Sequence, residues 1–254
     1  MILCQTITNK IFAVNRFSKF YKLSLAVLAC LYFSIKVIVI HFFSKDKKKY
    51  WINSNKWAKL ILNIFNLKLE ISGLEKLDKN TTYIFASNHQ SLLDIPILFH
   101  TLRDFNYVII YKKELEKVPI FGKNLVISPF ISVDRADPRN AMASIETTLS
   151  QMKENDSPII FPEGTRSKDG KLAQFKRGAF LLASRSKKPI VPISIIGSAQ
   201  VLPKGTLKIK PRSTVKVILH NPIENSQNMD RNDEKLLMNK VHSVIKESIE
   251  AENI

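Results

Sequence analysis

The residues best suited to chemistry in this 254-residue chain lie in a few short blocks. The first is "NHQSLLD" at 88–94, where His89 and Asp94 stand five positions apart. On a regular helix such a pair points about 140° apart and cannot meet. Across a strand-to-helix turn it can, and the flanks fit one: an apolar run precedes Asn88 and a helical pattern follows Asp94. An aspartate on one imidazole nitrogen fixes the tautomer and favours the imidazolium. The other nitrogen is then free to take a proton from a hydroxyl. A plainer reading competes. Ser91 to Asp94 fits the Ser/Thr-x-x-Asp/Glu capping pattern, and with Pro96 in a first helical turn Asp94 itself is a candidate N-cap.

The second block is "FPEGTRS" at 161–167. Gly164 permits a tight backbone turn. Amides around 164–166, the Thr165 hydroxyl and the Arg166 guanidinium can cradle a phosphate. Glu163 belongs beside a phosphate only if it pairs with an arginine or a sugar-like hydroxyl, so the mixture suits a phosphorylated polyol. The alternative is an ordinary loop with a solvated arginine. A third block, "ISVDRADPRN" at 131–140, brings Arg135 either as a second phosphate contact or as a surface partner of Asp134 or Asp137. "YKKELEKVPIFG" at 111–122 sets Lys112 and Lys113 near the apolar Val118–Phe121.

Composition narrows the chemistry. The only cysteines, Cys4 and Cys30, sit near the N-terminus, which leaves no disulfide framework, no cysteine nucleophile in the main body and little basis for a metal site. The glycine-rich loops of nucleotide and dinucleotide sites and the G-x-S-x-G of serine hydrolases do not occur. Lys and Arg outnumber Asp and Glu by 39 to 22, a net +17 that favours anionic partners. Residues 1–50 carry +8 of this, from nine Lys/Arg and one Asp. No basic–aromatic interleaving of the nucleic-acid-binding kind occurs, so nucleic acid is not the expected partner. A membrane-surface binder without chemistry is the non-enzyme alternative.

These blocks need elements to hold them. Strands are expected at 82–86, 107–111, 126–133, 158–161, 190–196 and 214–219, and helices at 138–153, 175–186 and 234–250. The alternation predicts an α/β fold, a mixed sheet flanked by helices, over residues 72–254. Residues 1–71 read as membrane-anchoring helices. The apolar run 23–43 is long enough to cross a bilayer, though Lys36 and His41 interrupt it. An amphipathic helix is expected at 57–71. The two suit a membrane-associated hairpin dipped into one leaflet as well as a span. No small-x-small cleavage site follows, which argues against a signal peptide.

Taken in order, NHQSLLD (88–94), FISVDR (130–135), FPEGTRS (161–167) and VPISIIG (191–197) resemble the glycerophospholipid acyltransferase superfamily. The likeness covers about residues 80–200 and is strongest to the 1-acyl-glycerol-3-phosphate acyltransferase branch. "KKEL…P…FG" and "FKRGA" (175–179) are similar too. Ser132 departs from the bulkier apolar residue the family often has.

The resemblance implies an enzyme that moves an acyl chain from acyl-CoA or acyl-acyl-carrier protein to the sn-2 hydroxyl of lysophosphatidic acid, giving phosphatidic acid, with no cofactor. His89 would be the general base and Asp94 its orienting partner. Arg135, Glu163, Gly164, Thr165 and Arg166 would hold the glycerol phosphate, with Lys112 and Lys113 as donor or phosphate contacts. Backbone amides near the histidine turn would stabilise the oxyanion. The implied setting is a phospholipid bilayer, on the cytoplasmic side of a bacterial inner membrane. Glycerol 3-phosphate or another lysophospholipid is the alternative acceptor.

Overall fold

The fold is that of a computed structural model, which describes residues 2–44, 46–134, 141–206, 209, 213–225 and 229–252, with side chains from residue 20 onward apart from 141–144. Two helices come first, α1 (Ile2–Phe43) and α2 (Lys47–Phe65). The body then runs β1 (Lys68–Ser72), β2 (Ile84–Ser87), α3 (Asp94–Thr101), β3 (Tyr107–Lys112), α4 (Phe121–Ile127), β4 (Ile131–Val133), α5 (Ala141–Gln151) and β5 (Ser157–Ile160). It closes with α6 (Arg177–Ser186), β6 (Ile190–Ile196), α7 (Ser198–Val201), β7 (Thr214–Leu219) and α8 (Arg231–Ala251).

The seven strands form one sheet in the order β1-β7-β6-β2-β5-β3-β4. Five neighbours, β6 through β4, run parallel. At the other edge β7 is antiparallel to β6 and parallel to β1, which makes the sheet mixed, as expected. The central strands β2, β5 and β6 are buried along almost their whole length because helices cover both faces. Phe85 of β2 and Val191, Ile193 and Ile195 of β6 face a core shared with α2 and α3. Ile84, Ala86 and Ile190 face the second core with α6 and α8.

Local rules account for the element ends. Asp230 caps α8 through the amides of Asn232 and Asp233, and Asp233 reaches back to the Asp230 amide. Asn66, in the left-handed conformation, ends α2. The expected helix over 57–71 therefore stops at Phe65, and Lys68–Ser72 becomes an edge strand whose alternate side chains are exposed. The boundary expected between 71 and 72 falls inside β1. Ala58, Ile61, Leu62 and Phe65 of α2 pack in the sheet's own core, Trp51 Nε1 donates to the Tyr107 carbonyl (2.8 Å), and Tyr107 Oη donates to Asn55 Oδ1 (2.8 Å). The second helix is thus a layer of the domain and not a detachable anchor.

The expected strand over 126–133 is also corrected. Only Ile131–Val133 is strand, and Phe121–Ile127 is a short helix that buries Leu125. It starts at Ile120, whose φ of 64° and ψ of −56° belong to a γ-turn closed by Phe121 N donating to Pro119 O at 2.6 Å. This turn directs Phe121 toward α1 and the cavity below it.

The N-terminal helix packs on α2 and α4. Ala29 and Val37 are buried, whereas Phe20, Leu28, Tyr32, Phe42 and Phe43 stay exposed. Its segment Phe20–Phe43 is long and apolar enough to cross a membrane.

Candidate active site

All the motif blocks sit at the carboxyl ends of the five parallel strands, where open α/β sheets place ligands. The turn after β2 carries residues 88–94, and the turn after β5 carries 161–166. Lys112 and Lys113 follow β3, and Gly197 follows β6.

His89 Nδ1 lies 2.8 Å from Asp94 Oδ2. Asp94 is fully buried and must act as the acceptor, so Nδ1 carries its proton toward Asp94 and Nε2 remains for other work. The same Oδ2 accepts the amides of Gln90 (2.7 Å) and Ser91 (2.8 Å). Asp94 is the first residue of α3 and not its N-cap, which is Leu93. Its carboxylate completes the back-reaching half of a capping box on Ser91, while Ser91 Oγ accepts the Leu93 amide (3.2 Å). Capping and histidine orientation are one arrangement. The His89 ring stacks on Phe161, with centroids 4.0 Å apart and planes 20° from parallel.

The other polar side chains of the block fasten walls. Asn88 pairs twice with the backbone of Ile195 at the end of β6, each bond 2.8 Å. Gln90 Nε2 donates to the Gly170 carbonyl (2.7 Å). Ser91 Oγ donates to the Leu202 carbonyl (2.8 Å).

Glu163 is 2% exposed, and both its oxygens are engaged. Oε1 accepts the His89 amide (2.7 Å) and Oε2 accepts the Ala173 amide (3.0 Å). The Ser167 amide returns to the His89 carbonyl (2.8 Å). The residue expected to touch substrate is instead a buried splice between the 163–173 loop and the histidine turn. Burial raises its carboxyl above the usual range, and the two amide donors oppose that rise.

Gly164 has φ +72°, the conformation the turn needs, and a Cβ there would press on the Lys176 side chain. Thr165 is exposed and Arg166 partly so. Lys204 Nζ donates to Thr165 Oγ1 (3.2 Å) and to the Arg166 carbonyl (2.6 Å). Reading the sequence did not find Lys204; the available signal was the Leu-Pro-Lys-Gly turn just after the fourth block.

Lys112 and Lys113 are exposed, and Lys112 pairs with Glu114 at 2.8 Å. Arg135 lies outside the described residues. The amides of residues 89, 90 and 91 all donate to carboxylates, so these three are not the expected oxyanion donors.

Two cavities adjoin the turn. An apolar one of about 160 Å³ is lined by Trp57, Ile95, Phe99, Phe121 and Phe130, with Cys30 and Ser34 of α1 above. A polar cleft of about 460 Å³ is lined by Gln90, Lys168, Lys171, Gly197 and Lys204. A histidine–aspartate pair near a basic loop, with an apolar chamber at hand, is chemically suited to acyl transfer to a phosphorylated alcohol.

Comparison with known proteins agrees. The chain is 34% identical over 195 residues to a chloroplastic 1-acyl-sn-glycerol-3-phosphate acyltransferase of Arabidopsis thaliana, matching 76% of this chain and 52% of that one. It is 33% identical to an uncharacterized acyltransferase of Schizosaccharomyces pombe, over 72% of this chain and 67% of that one. The chain spans about half the length of the first plant relatives. The crystal structure of the 1-acyl-sn-glycerophosphate acyltransferase PlsC from Thermotoga maritima superposes with a TM-score of 0.79 at 25% identity, covering 95% of this chain and 97% of that one. The Acyltransferase family model matches residues 68–196, half of the chain, from β1 through the NHQSLLD and FPEGTRS blocks to the end of β6, and the chain belongs to that family.

Proposed function

We propose that the protein transfers an acyl chain from an acyl thioester to the sn-2 hydroxyl of 1-acyl-glycerol 3-phosphate, giving phosphatidic acid. The observation that carries this is the His89–Asp94 contact at 2.8 Å, spliced through Glu163 to the Thr165–Arg166 loop. The names of the plant and Thermotoga relatives support the acceptor.

In this reading His89 Nε2 takes the proton of the acceptor hydroxyl as its oxygen attacks the thioester carbonyl. Asp94 stabilises the imidazolium that results. The tetrahedral intermediate collapses, the ester forms, and the thiolate leaves with the proton returned from His89. No acyl-enzyme forms. Phe161 holds the ring plane and Glu163 positions the backbone of His89. Thr165 and Arg166, with Arg135, bind the phosphate across the turn that Gly164 allows. The apolar cavity beside α3 takes an acyl chain, since Ile95 follows Asp94 directly and Phe99 lies one helical turn further.

The exposed apolar face of α1 holds the domain on a phospholipid bilayer, where the acceptor resides. We place the domain on the cytoplasmic face of a bacterial inner membrane, the side on which thioester donors are made. Lys112 and Lys113, exposed at the end of β3, are placed to meet an anionic donor, either coenzyme A or acyl carrier protein.

The test is direct. Purified full-length protein with labelled acyl donor and lysophosphatidic acid should yield phosphatidic acid, run with both donor types. His89→Ala should abolish turnover, and retained activity in that variant would refute the mechanism.

A further inference from the structure

We propose that Lys204 is a phosphate ligand of the acceptor site, held in place by the histidine motif itself. The proposal rests on the acceptor reading above and names a residue which that reading does not include.

Four observations lead to it. First, an ammonium has three donors, and Lys204 uses one on the Arg166 carbonyl and one on Thr165 Oγ1. The third is left for a ligand. Because Thr165 Oγ1 accepts from Lys204, its own hydroxyl proton is also left to donate. The two donor atoms stand 3.2 Å apart beside the 164–166 turn.

Second, Lys204 also lines the polar cleft, whose wall includes Lys168, Lys171 and, one residue from the proposed base, Gln90. Among the described residues the one carboxylate lining it, Asp169, accepts from Ser167 Oγ (2.9 Å) and the Lys171 amide (3.1 Å). The cleft is therefore a cationic pocket, suited to a dianion.

Third, the chemistry sets a short distance. In a 1-acyl-glycerol 3-phosphate the phosphorus is only three bonds beyond the carbon that bears the reacting hydroxyl. A phosphate held by this loop leaves the hydroxyl near His89, whereas the phosphates of a long thioester carrier lie far from its carbonyl.

Fourth, Lys204 is not placed by chance. Gly197, at φ +96°, turns the chain out of β6, and a Cβ there would lie 3.1 Å from the Thr214 carbonyl. Two residues before Lys204, the Leu202 carbonyl accepts the buried Ser91 hydroxyl at 2.8 Å. Ser91, whose amide also donates to Asp94, thus ties the histidine turn to the segment that carries Lys204. Ser91 is a positioning residue for Lys204.

The experiment uses the full-length protein in detergent, with glycerol 3-phosphate as a headgroup probe measured by calorimetry, and lysophosphatidic acid and 1-acylglycerol as acceptors. Lys204→Met should weaken glycerol 3-phosphate binding at least tenfold and raise KM for lysophosphatidic acid by a similar factor. KM for the acyl donor and the rate with phosphate-free 1-acylglycerol should change less than threefold. Lys204→Arg should restore most of the binding, and Ser91→Ala should weaken it about threefold to tenfold without changing the pH profile of kcat. Unchanged probe binding in Lys204→Met, whatever happens to kcat, would reduce the lysine to a loop staple and overturn the proposal. So would equal losses with charged and uncharged acceptors. If the wild type bound glycerol 3-phosphate through Lys204 but acylated no phosphorylated acceptor, the function reading would fail while the site stood.

Discussion

The two cavities beside the histidine turn differ in almost every respect. One is walled by Trp57, Phe99, Phe121 and Phe130 and lies under the exposed helix α1. The other is lined by Lys168, Lys171 and Lys204, with Asp169, Gln90 and Gln200 among its walls, and touches no residue of α1. Residues 90 and 95, five positions apart, line one each. An amphiphile has the same division, an apolar tail and an anionic head joined at a few atoms. A single tight turn that separates the two environments can therefore fix which atom of a lipid meets the base. The polar wall is built from hydrogen bonds of defined direction, and the apolar wall from packing, which tolerates change in volume more readily than change in polarity.

Five variants would break or sharpen this contrast. His89→Ala touches neither cavity's shape and should lower kcat by about a thousandfold, within the range for a lost general base. Asp94→Ala should match that loss and also lower stability by about 3 kcal/mol, since three donors, two of them buried amides, lose their acceptor. Denaturant titration beside kinetics separates the two.

On the apolar side, Ser34→Phe should fill the chamber under α1. The rate with long acyl chains should fall about tenfold against short ones, with glycerol 3-phosphate binding unchanged. A uniform loss across chain lengths would mean that the chamber does not hold the chain. On the polar side, Ser91→Ala should cost about 1–3 kcal/mol by leaving the Leu202 carbonyl unpaired, read as a lower Tm.

The smallest effect is a pH dependence. Burial raises the Glu163 carboxyl, so the folded state favours its protonated form. Its contribution to stability is then complete below the ordinary glutamate value of about 4.5 and declines as pH rises through the raised folded value. The stability difference between wild type and the non-titrating Glu163→Gln should be larger at pH 4 than at pH 8.

Much of the sheet was legible because its strands are mostly rich in apolar β-branched residues and bounded by turn residues; Ile190–Ile196 and Thr214–Leu219 match residue for residue. The His89–Asp94 contact was legible because only a turn can join residues at that spacing. Three features were not. Lys68–Ser72 continues the helical pattern of α2 smoothly, and only the left-handed Asn66 breaks it. Val126 and Ile127 have the residue types of a strand, but they end the helix Phe121–Ile127 that the γ-turn at Ile120 launches, and isoleucine carries no local signal for positive φ. The roles of Glu163 and Lys204 depend on partners 74 and 38 residues away, and no local pattern encodes a contact made across the sheet.

Those separations also bear on how the enzyme comes into being. Asn88 completes its bonds with Ile195, 107 residues downstream, and Ser91 with Leu202, 111 residues downstream. Contacts that span so much chain form slowly and late. A ribosome that has delivered the first two motifs has made a histidine and an aspartate with no wall to hold them. Until residue 202 has emerged and β6 has docked, the walls that fasten the His89–Asp94 turn are incomplete. A chain cut short before that point would retain α1, α2 and the histidine turn without the Leu202 contact that Ser91 makes, and should have no activity.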